Sequence, residues 1–542
     1  MKQTIGTILC FASAITLNAQ SLNDATQQLY YERYETAENT LSKIIQQEPA
    51  NDEAVYWLTT AFIEQNKNKE AHAVVEKAPE SLFSTPYGEV AAGSVLLYSG
   101  KKDSAAIYFN EALKETKEKD PSILSAIARA QVESESGDAN YALDLLQKAI
   151  KKDKKNASLY ILMGDAYRKL SNGTEAYKSY QQAIEVDKGY APAYHKIGDI
   201  FLGQKNPEMY LQYFTKAVEA DPKYAPSLYK LYSYEFYRNP AKAKEYYQAY
   251  LSNSDTSIQN QYDLADLLYI NKEFPAAIER AKSIFNLQGD KAQPRLYKLI
   301  SYSYAEQKDT AKATTYMQNY FNKEADSNII AKDAATMAKF ARTNHNDSLA
   351  VVFLQKATQL EKDSSALYDY YGQLAQLSAN LKDFASQAKW LSHYYPGNKK
   401  ATNLDLFNWG LAHYRAEQYP QADTVFGMYI QKYPEQSFGY YWQAKSKAAE
   451  DKDMKEGTAV AAYEKLAEVL QQDSSNPSRQ KWLVESYGYL AAYQANTAKN
   501  YAEAVKYFRK VLEVDPENEG AKKYISILEK QIDSTPTGTG TK

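Results

Sequence analysis

The sequence is poor in the residues that usually carry chemistry. Among 542 residues there is one cysteine, Cys10, and there are five histidines: His72, His195, His345, His393 and His413. One cysteine builds no disulfide framework and no thiolate zinc site. No two histidines stand four apart, so the helical two-histidine zinc motif is missing too. A GxSxG nucleophile elbow and a glycine-rich phosphate loop behind a strand are also absent. Ser227 and Lys230 have Ser-x-x-Lys spacing, but none of the motifs that accompany a catalytic pair are present. Neither a cofactor nor a metal is expected, and no catalytic residue is assigned. Charge of neither sign dominates: the formal net charge is −3, which gives no electrostatic reason to expect nucleic acid as a partner.

Long apolar runs are missing as well. Ile5 to Leu17, behind Lys2, has the length of a signal-peptide core and is too short for a membrane span. With Ala19 closing a cleavage site before Gln20, residues 1–19 read as a signal peptide. The chain is then exported, to the periplasm or onward to the surface or medium. Cys10 leaves with the peptide. Leu9 before it and the apolar residues after it argue against lipidation. No transmembrane segment is expected in the mature chain.

What the sequence does have is a repeat. Ala157–Pro222 holds two tandem 34-residue units. Gly164 recurs as Gly198, Tyr160 as Tyr194, Tyr167 as Phe201, Tyr180 as Phe214 and Ala183 as Ala217. Small and aromatic residues at fixed offsets, at this period, mark a stacked two-helix unit. In the first copy the helices are expected near Ser158–Leu170 and Thr174–Val186, with Ser171-Asn172-Gly173 supplying the C-cap and turn. The series Ala37, Ala71, Ala105 continues the period upstream. Gly410, Ala422, Phe426 and Pro434 restate it far downstream. About fourteen units cover residues 20–516. The second helix of the Gly372 unit is out of phase near Trp390 and Leu391, and a long first helix or insertion is expected around Tyr489–Asn500. Pro207, Pro240, Pro275 and Pro420 fall where second helices start, and Pro192, Pro226 and Pro294 where first helices start, which the first helical turn tolerates. The polar stretch Ser252–Ser257 is a candidate lobe boundary. Residues 517–533 read as a helix capping the open end of the stack, and 534–542 as a disordered tail.

The set Gly164, Tyr167, Ala176, Tyr180 and Ala183, and its copy Gly198, Phe201, Phe214, Ala217 and Pro222, resembles the tetratricopeptide repeat. The resemblance implies an all-α, right-handed superhelical solenoid whose first helices line a concave, ligand-binding face. Projected onto this chain, that face carries Asp165, Arg168, Lys169, His195 and Asp199. Further along it carries Tyr232, Phe236, Tyr262, Asp266, Tyr269, Lys298, Tyr302, Lys339 and Arg342. Aromatic rings beside cations suit a peptide or a glycan. The clamp by which chaperone-binding members hold a peptide C-terminus is not expected, since Ile161 and Asp165 stand where its donors would be. The repeats leave no stretch for a separate catalytic domain. The implied function is a non-enzymatic scaffold in the bacterial envelope that binds a protein or peptide segment. The alternative is a receptor for glycan or another envelope polymer.

Overall fold

The computed structural model of the protein describes residues 22–534. The expected signal peptide, Cys10 and nearly all of the expected tail lie outside the described residues. The described chain is a solenoid of paired α-helices with no strand among the described residues. It divides into two compact units at Ala292 and Gln293. The first contains eight helical hairpins, from residues 22–30 with Tyr34–Gln47 to Ile258–Ile270 with Phe274–Gln288. The second contains six, from Arg295–Glu306 with Thr310–Lys323 to Arg479–Asn496 with Tyr501–Val514, and then the helix Glu519–Ser534. Hairpins are numbered below in chain order.

Four of the hairpins are marked by one close contact. In hairpins three, five, six and twelve the first helix carries a glycine where the second carries an aromatic ring. A Cβ on Gly164 would lie 2.2 Å from the Tyr180 ring, on Gly198 2.5 Å from Phe214, on Gly93 2.5 Å from Phe109 and on Gly410 2.8 Å from Phe426. These rings are almost fully buried, each contributing about 2–3 kcal/mol of transfer free energy. An alanine early in the second helix (Ala105, Ala142, Ala176, Ala313, Ala350 or Ala422) lets the helices meet one turn away. Hairpin eleven departs from this rule. Its first helix, Ser364–Asn380, has 17 residues against 13 in hairpin five. The second helix is displaced accordingly, and Gly372 faces the Tyr394 ring instead. Hairpin fourteen also has a long first helix, of 18 residues.

The turn inside the hairpin has its own logic. The helices of hairpin five span Ala157–Lys169 and Gly173–Val186, within a residue of expectation. The left-handed residue between them is Ser171, at φ 58°, rather than Gly173. The amide of Asn172 donates to the Tyr167 carbonyl and that of Ser171 to the Arg168 carbonyl, the pair of bonds that closes a helix C-terminus. The Asn172 side chain then accepts the Glu175 amide and caps the next helix. Asn206, Asn239, Asp309, Asn346, Asp383 and Asn500 do the same in their hairpins. The left-handed position is filled by Lys205, Lys272, Lys308, Lys382 and Lys499, by Glu32 and Glu417, by Asn66 and His345, and in hairpin three by Gly100. Pro207 and Pro240 open their helices, and Pro275 and Pro420 stand second.

Hairpin one lacks a local cap, because Arg33 occupies the capping position. Its donors are met from 220 residues away. Asp255 Oδ2 accepts the amides of Glu35 (2.7 Å) and Thr36 (3.4 Å), and Oδ1 accepts the Thr36 hydroxyl (2.5 Å). Arg33 Nε lies 3.8 Å from Oδ1. The Tyr30 ring packs edge-on against Tyr190 and Tyr224, at 5.6 and 5.7 Å. The first unit thus closes a superhelical turn on itself, with hairpin one lying against hairpins six and seven. Ser252–Ser257 is part of this closure.

Candidate functional site

Closure of the first unit leaves two open cavities that both reach the 31–34 turn. The larger, about 700 Å³, is lined by Glu32, Glu35, Lys67, His195, Asp199, Tyr229, Lys230, Tyr250 and Asp255 among others. The second, about 630 Å³, is lined by Tyr30, Glu32, Tyr34, Trp57, Glu64, Arg129, Glu133, Asp165, Tyr190, Lys196 and Tyr224 among others. Glu32 and Tyr34 border both. Solenoid hairpins present the same first-helix positions to this interior: Glu64 from hairpin two, Arg129 and Glu133 from four, Asp165 from five, Lys196 and Asp199 from six.

Charge in the second cavity is unevenly compensated. Arg129 Nη1 lies 3.1 Å from Glu64 and 3.4 Å from Glu133, with its guanidinium 5.7 Å from the Trp57 ring centre. One cation therefore serves two carboxylates. Enclosure first, and the neighbouring Glu64 charge second, hold the Glu133 carboxyl well above its ordinary pKa. Lys196 pairs with Asp165 at 3.0 Å, and Asp165 also accepts the Tyr180 hydroxyl at 2.6 Å. Glu32 projects from the turn between the cavities. The side chain is exposed to solvent, and the surrounding protein raises its pKa despite the opposing pull of Lys196.

In the first cavity His195, 6% exposed, lies 2.9 Å by Nδ1 from Ser227 Oγ and 3.4 Å by Nε2 from Asp199. The three residue types are those of an acyl-transfer relay, but Ser227 is completely buried. Burial also lowers the imidazole pKa to about 4, against the pull of Asp199, which leaves a poor base. Lys230 of the Ser-x-x-Lys pair is held by Asp199 at 3.2 Å. No group of three or more metal-ligating side chains occurs among the described residues.

The projected groove residues do not form one surface. Asp165, His195 and Asp199 enter the cavities. Lys169 instead donates to the carbonyls of Gln131 (2.8 Å), Val132 and Ser134, closing the end of the preceding first helix. Arg168 is exposed on the same helix. Tyr232 is buried against Tyr247 at 4.4 Å, with Phe236 edge-on to it. Tyr262 is 2% exposed and donates to Gln288. Tyr269 lies beside Phe274, and Asp266 is half-buried one turn before it. In the second unit Lys298 pairs with buried Asp333 at 2.5 Å, and Tyr302 packs on the core. Lys339 is exposed, and Arg342 donates to Gln373.

The second unit carries a different feature. An aromatic strip crosses the first helices of hairpins twelve to fourteen. Phe407 meets Phe438 at 6.3 Å, Phe438 meets Trp482 at 5.4 Å, and Trp482 stacks on Tyr441 at 4.0 Å and 7°. Glu485 accepts both the Tyr441 hydroxyl and Lys445. Leu404 and Phe438 remain 61% and 40% exposed.

Stacked helical hairpins with a glycine-to-ring contact at a 34-residue period define a helical repeat protein. Family profiles described as tetratricopeptide repeat match residues 29–88, 157–190, 191–224, 406–435 and 489–518. The chain is a tetratricopeptide repeat protein, a class whose members typically bind peptides or proteins and are generally scaffolds. Among solved structures it is similar to the C-terminal part of a TPR repeat-containing protein from Cytophaga hutchinsonii (25% identity, 49% of this chain and 99% of that one, TM-score 0.30). It is also similar to a protective antigen of uropathogenic Escherichia coli that displays an SLR fold (16%, 88% and 99%, TM-score 0.38). A third is YrrB, described as a TPR protein with an unusual peptide-binding site (20%, 35% and 96%, TM-score 0.23). No curated protein matches the sequence. No helix among the described residues is long and apolar enough to cross a membrane.

Proposed function

We propose that the protein is an exported scaffold without chemistry of its own, and that it binds a protein segment on the aromatic strip of the second unit. The observation that carries this reading is the exposure of Leu404 and Phe438 beside stacked Tyr441 and Trp482. Large exposed apolar side chains grouped on rigid elements suit a partner's apolar anchors. The paired Lys445 and Glu485 at its edge supply polar contacts. Export is supported by Lys2 followed by the Ile5–Leu17 run.

The test is crosslinking capture from the cell envelope with the mature chain, beside a Leu404→Ser/Phe438→Ser variant. Both positions are exposed, so the fold should persist. One protein captured near stoichiometrically, and lost in the variant, supports the reading. Undiminished capture by the variant removes the strip from it. Capture of no protein, with binding to envelope glycan, replaces it by the glycan-receptor alternative. Tyr262→Ala is not a suitable probe, because it empties a buried site and reports stability instead. N-terminal sequencing of the secreted chain tests export: a start near Gln20 supports it and a retained Met1 refutes it.

A further inference from the structure

The geometry points to a small-cation site in the first unit: the 630 Å³ cavity takes a primary ammonium or guanidinium group, seated between Glu32 and the Glu64–Glu133 pair and ringed by Tyr30, Tyr34 and Tyr190. This is separate from segment binding on the second unit.

Four observations converge. The cavity has the size of a small-molecule pocket and is largely preformed by packed helices. Its lining sets four carboxylates, from Glu32, Glu64, Glu133 and Asp165, against two cations, Arg129 and Lys196. Both cations are already engaged, Arg129 by two carboxylates and Lys196 by one. The Glu32 carboxylate has no ion-pair or hydrogen-bond partner among the described residues, while its backbone amide donates to Leu29. Aromatic faces line the same space, and they favour a cation over an anion or a neutral guest. The fourth observation lies beside the cavity, outside its lining. The Tyr56 hydroxyl, on a residue 2% exposed, has no hydrogen-bond acceptor and opens on a cleft lined by Arg129 and Glu133. A polar group that deeply buried without a partner is uncommon and marks an unfinished network. Glu64 and Glu133 tell the same story: one guanidinium lies between the two carboxylates, with no second counter-ion beside them among the described residues.

A second cation supplies that counter-ion. Its N–H groups donate to Glu64, Glu133 and Glu32, and its carbon stem lies along the tyrosine rings. A free diamine or polyamine and an arginine or lysine side chain on a peptide offer the same group. Asp199 and Lys230 pair with each other in the neighbouring cavity and leave the seat open.

The experiment is titration calorimetry and thermal melting with spermidine, argininamide and a blocked Gly-Arg-Gly peptide, with succinate as the anionic control, at about 50 mM salt to limit screening. Spermidine and argininamide test the free amine, and the peptide tests the side chain. At least one cation should bind and raise the melting temperature, and succinate should not. Glu133→Gln keeps the shape and hydrogen bonding of a protonated carboxyl, so it should fold while weakening the cation about tenfold. Glu32→Lys provides a second variant. Lysine already occupies this left-handed turn position in five other hairpins, so the backbone accepts it while the local charge reverses. Cation binding should then be lost. Absence of any cation effect at 10 mM (about the weakest useful affinity), equal binding of succinate, or wild-type affinity in both variants overturns the assignment.

Discussion

Replacing Asp255 with alanine should unfasten hairpin one from the rest of the first unit and leave the other hairpins standing. The carboxylate accepts two helix-terminal amides and one hydroxyl, and lies near one guanidinium. Loss of a helix N-cap costs about 1 kcal/mol. A hydrogen bond to a charged acceptor contributes about 1.5–3 kcal/mol. The Arg33 contact is long and partly exposed, 33% on the arginine side, and contributes at most about 1 kcal/mol. The three bonds share one carboxylate and do not add in full, so the expected loss is about 2–4 kcal/mol. Repeat arrays do not unfold in one step, which makes a global melt a blunt readout. Hydrogen exchange resolves the region: amides of residues 34–47 should lose protection by about 30- to 1,000-fold (2–4 kcal/mol at 1.36 kcal/mol per decade). Those of hairpins two to five should hardly change. Asp255→Asn keeps one acceptor oxygen and should lose less. A double-mutant cycle with Thr36→Val should show coupling of about 1 kcal/mol or more. Protection of residues 34–47 unchanged in Asp255→Ala, or a loss spread evenly over the unit, would refute the idea that this residue caps the helix.

Three further outcomes follow from the packing and the buried histidine. Gly198→Ala places a methyl 2.5 Å from the Phe214 ring and should destabilise by about 1–3 kcal/mol in a denaturant melt, with partial recovery in Gly198→Ala/Phe214→Leu. Lys272→Gly relieves a left-handed residue at φ 62° and should stabilise by about 0.5–1 kcal/mol after the entropy of the unfolded chain is allowed for. The His195 imidazole has a folded pKa of about 4 against about 6.5 unfolded. The unfolded chain therefore binds the extra proton between these values, and stability falls as pH drops from about 6.5 to 4. This single group removes about 3 kcal/mol over that window. His195→Gln should lose that part of the acid dependence, visible as a stability difference from wild type that shifts towards the variant as pH falls.

The hairpin was legible in the sequence because its defining contact is local. Gly164 and Tyr180, or Gly410 and Phe426, are 16 residues apart and recur at a fixed period. The closure of the first unit was not legible, since Asp255 and Thr36 meet only after six hairpins have accumulated their rotation. The candidate site was legible in part. Asp165 lies one residue after the small Gly164, and the same offset after Ala128 gives Arg129. Five residues after Ala128 and Thr59 stand Glu133 and Glu64. In hairpin four, whose turn is two residues longer than that of hairpin five, the 34-residue period alone would have missed Arg129 and Glu133. Lys169 and Lys298 show the opposite failure. A cation on a first helix can face the groove, or it can reach a neighbour's carbonyls or carboxylate, and the residue type is the same in both cases.

A solenoid ordinarily gains or sheds units without consequence, because each touches only its neighbours. The bond from Asp255 to the Thr36 amide and hydroxyl removes that freedom from the first unit. Inserting or deleting one hairpin anywhere between residues 52 and 253 would carry the carboxylate past its target by a full step. The number of hairpins in this stretch is therefore a fixed structural parameter, as strand number is in a closed barrel. Lineages of this protein should vary in length within the second unit and keep the hairpin count of the first constant.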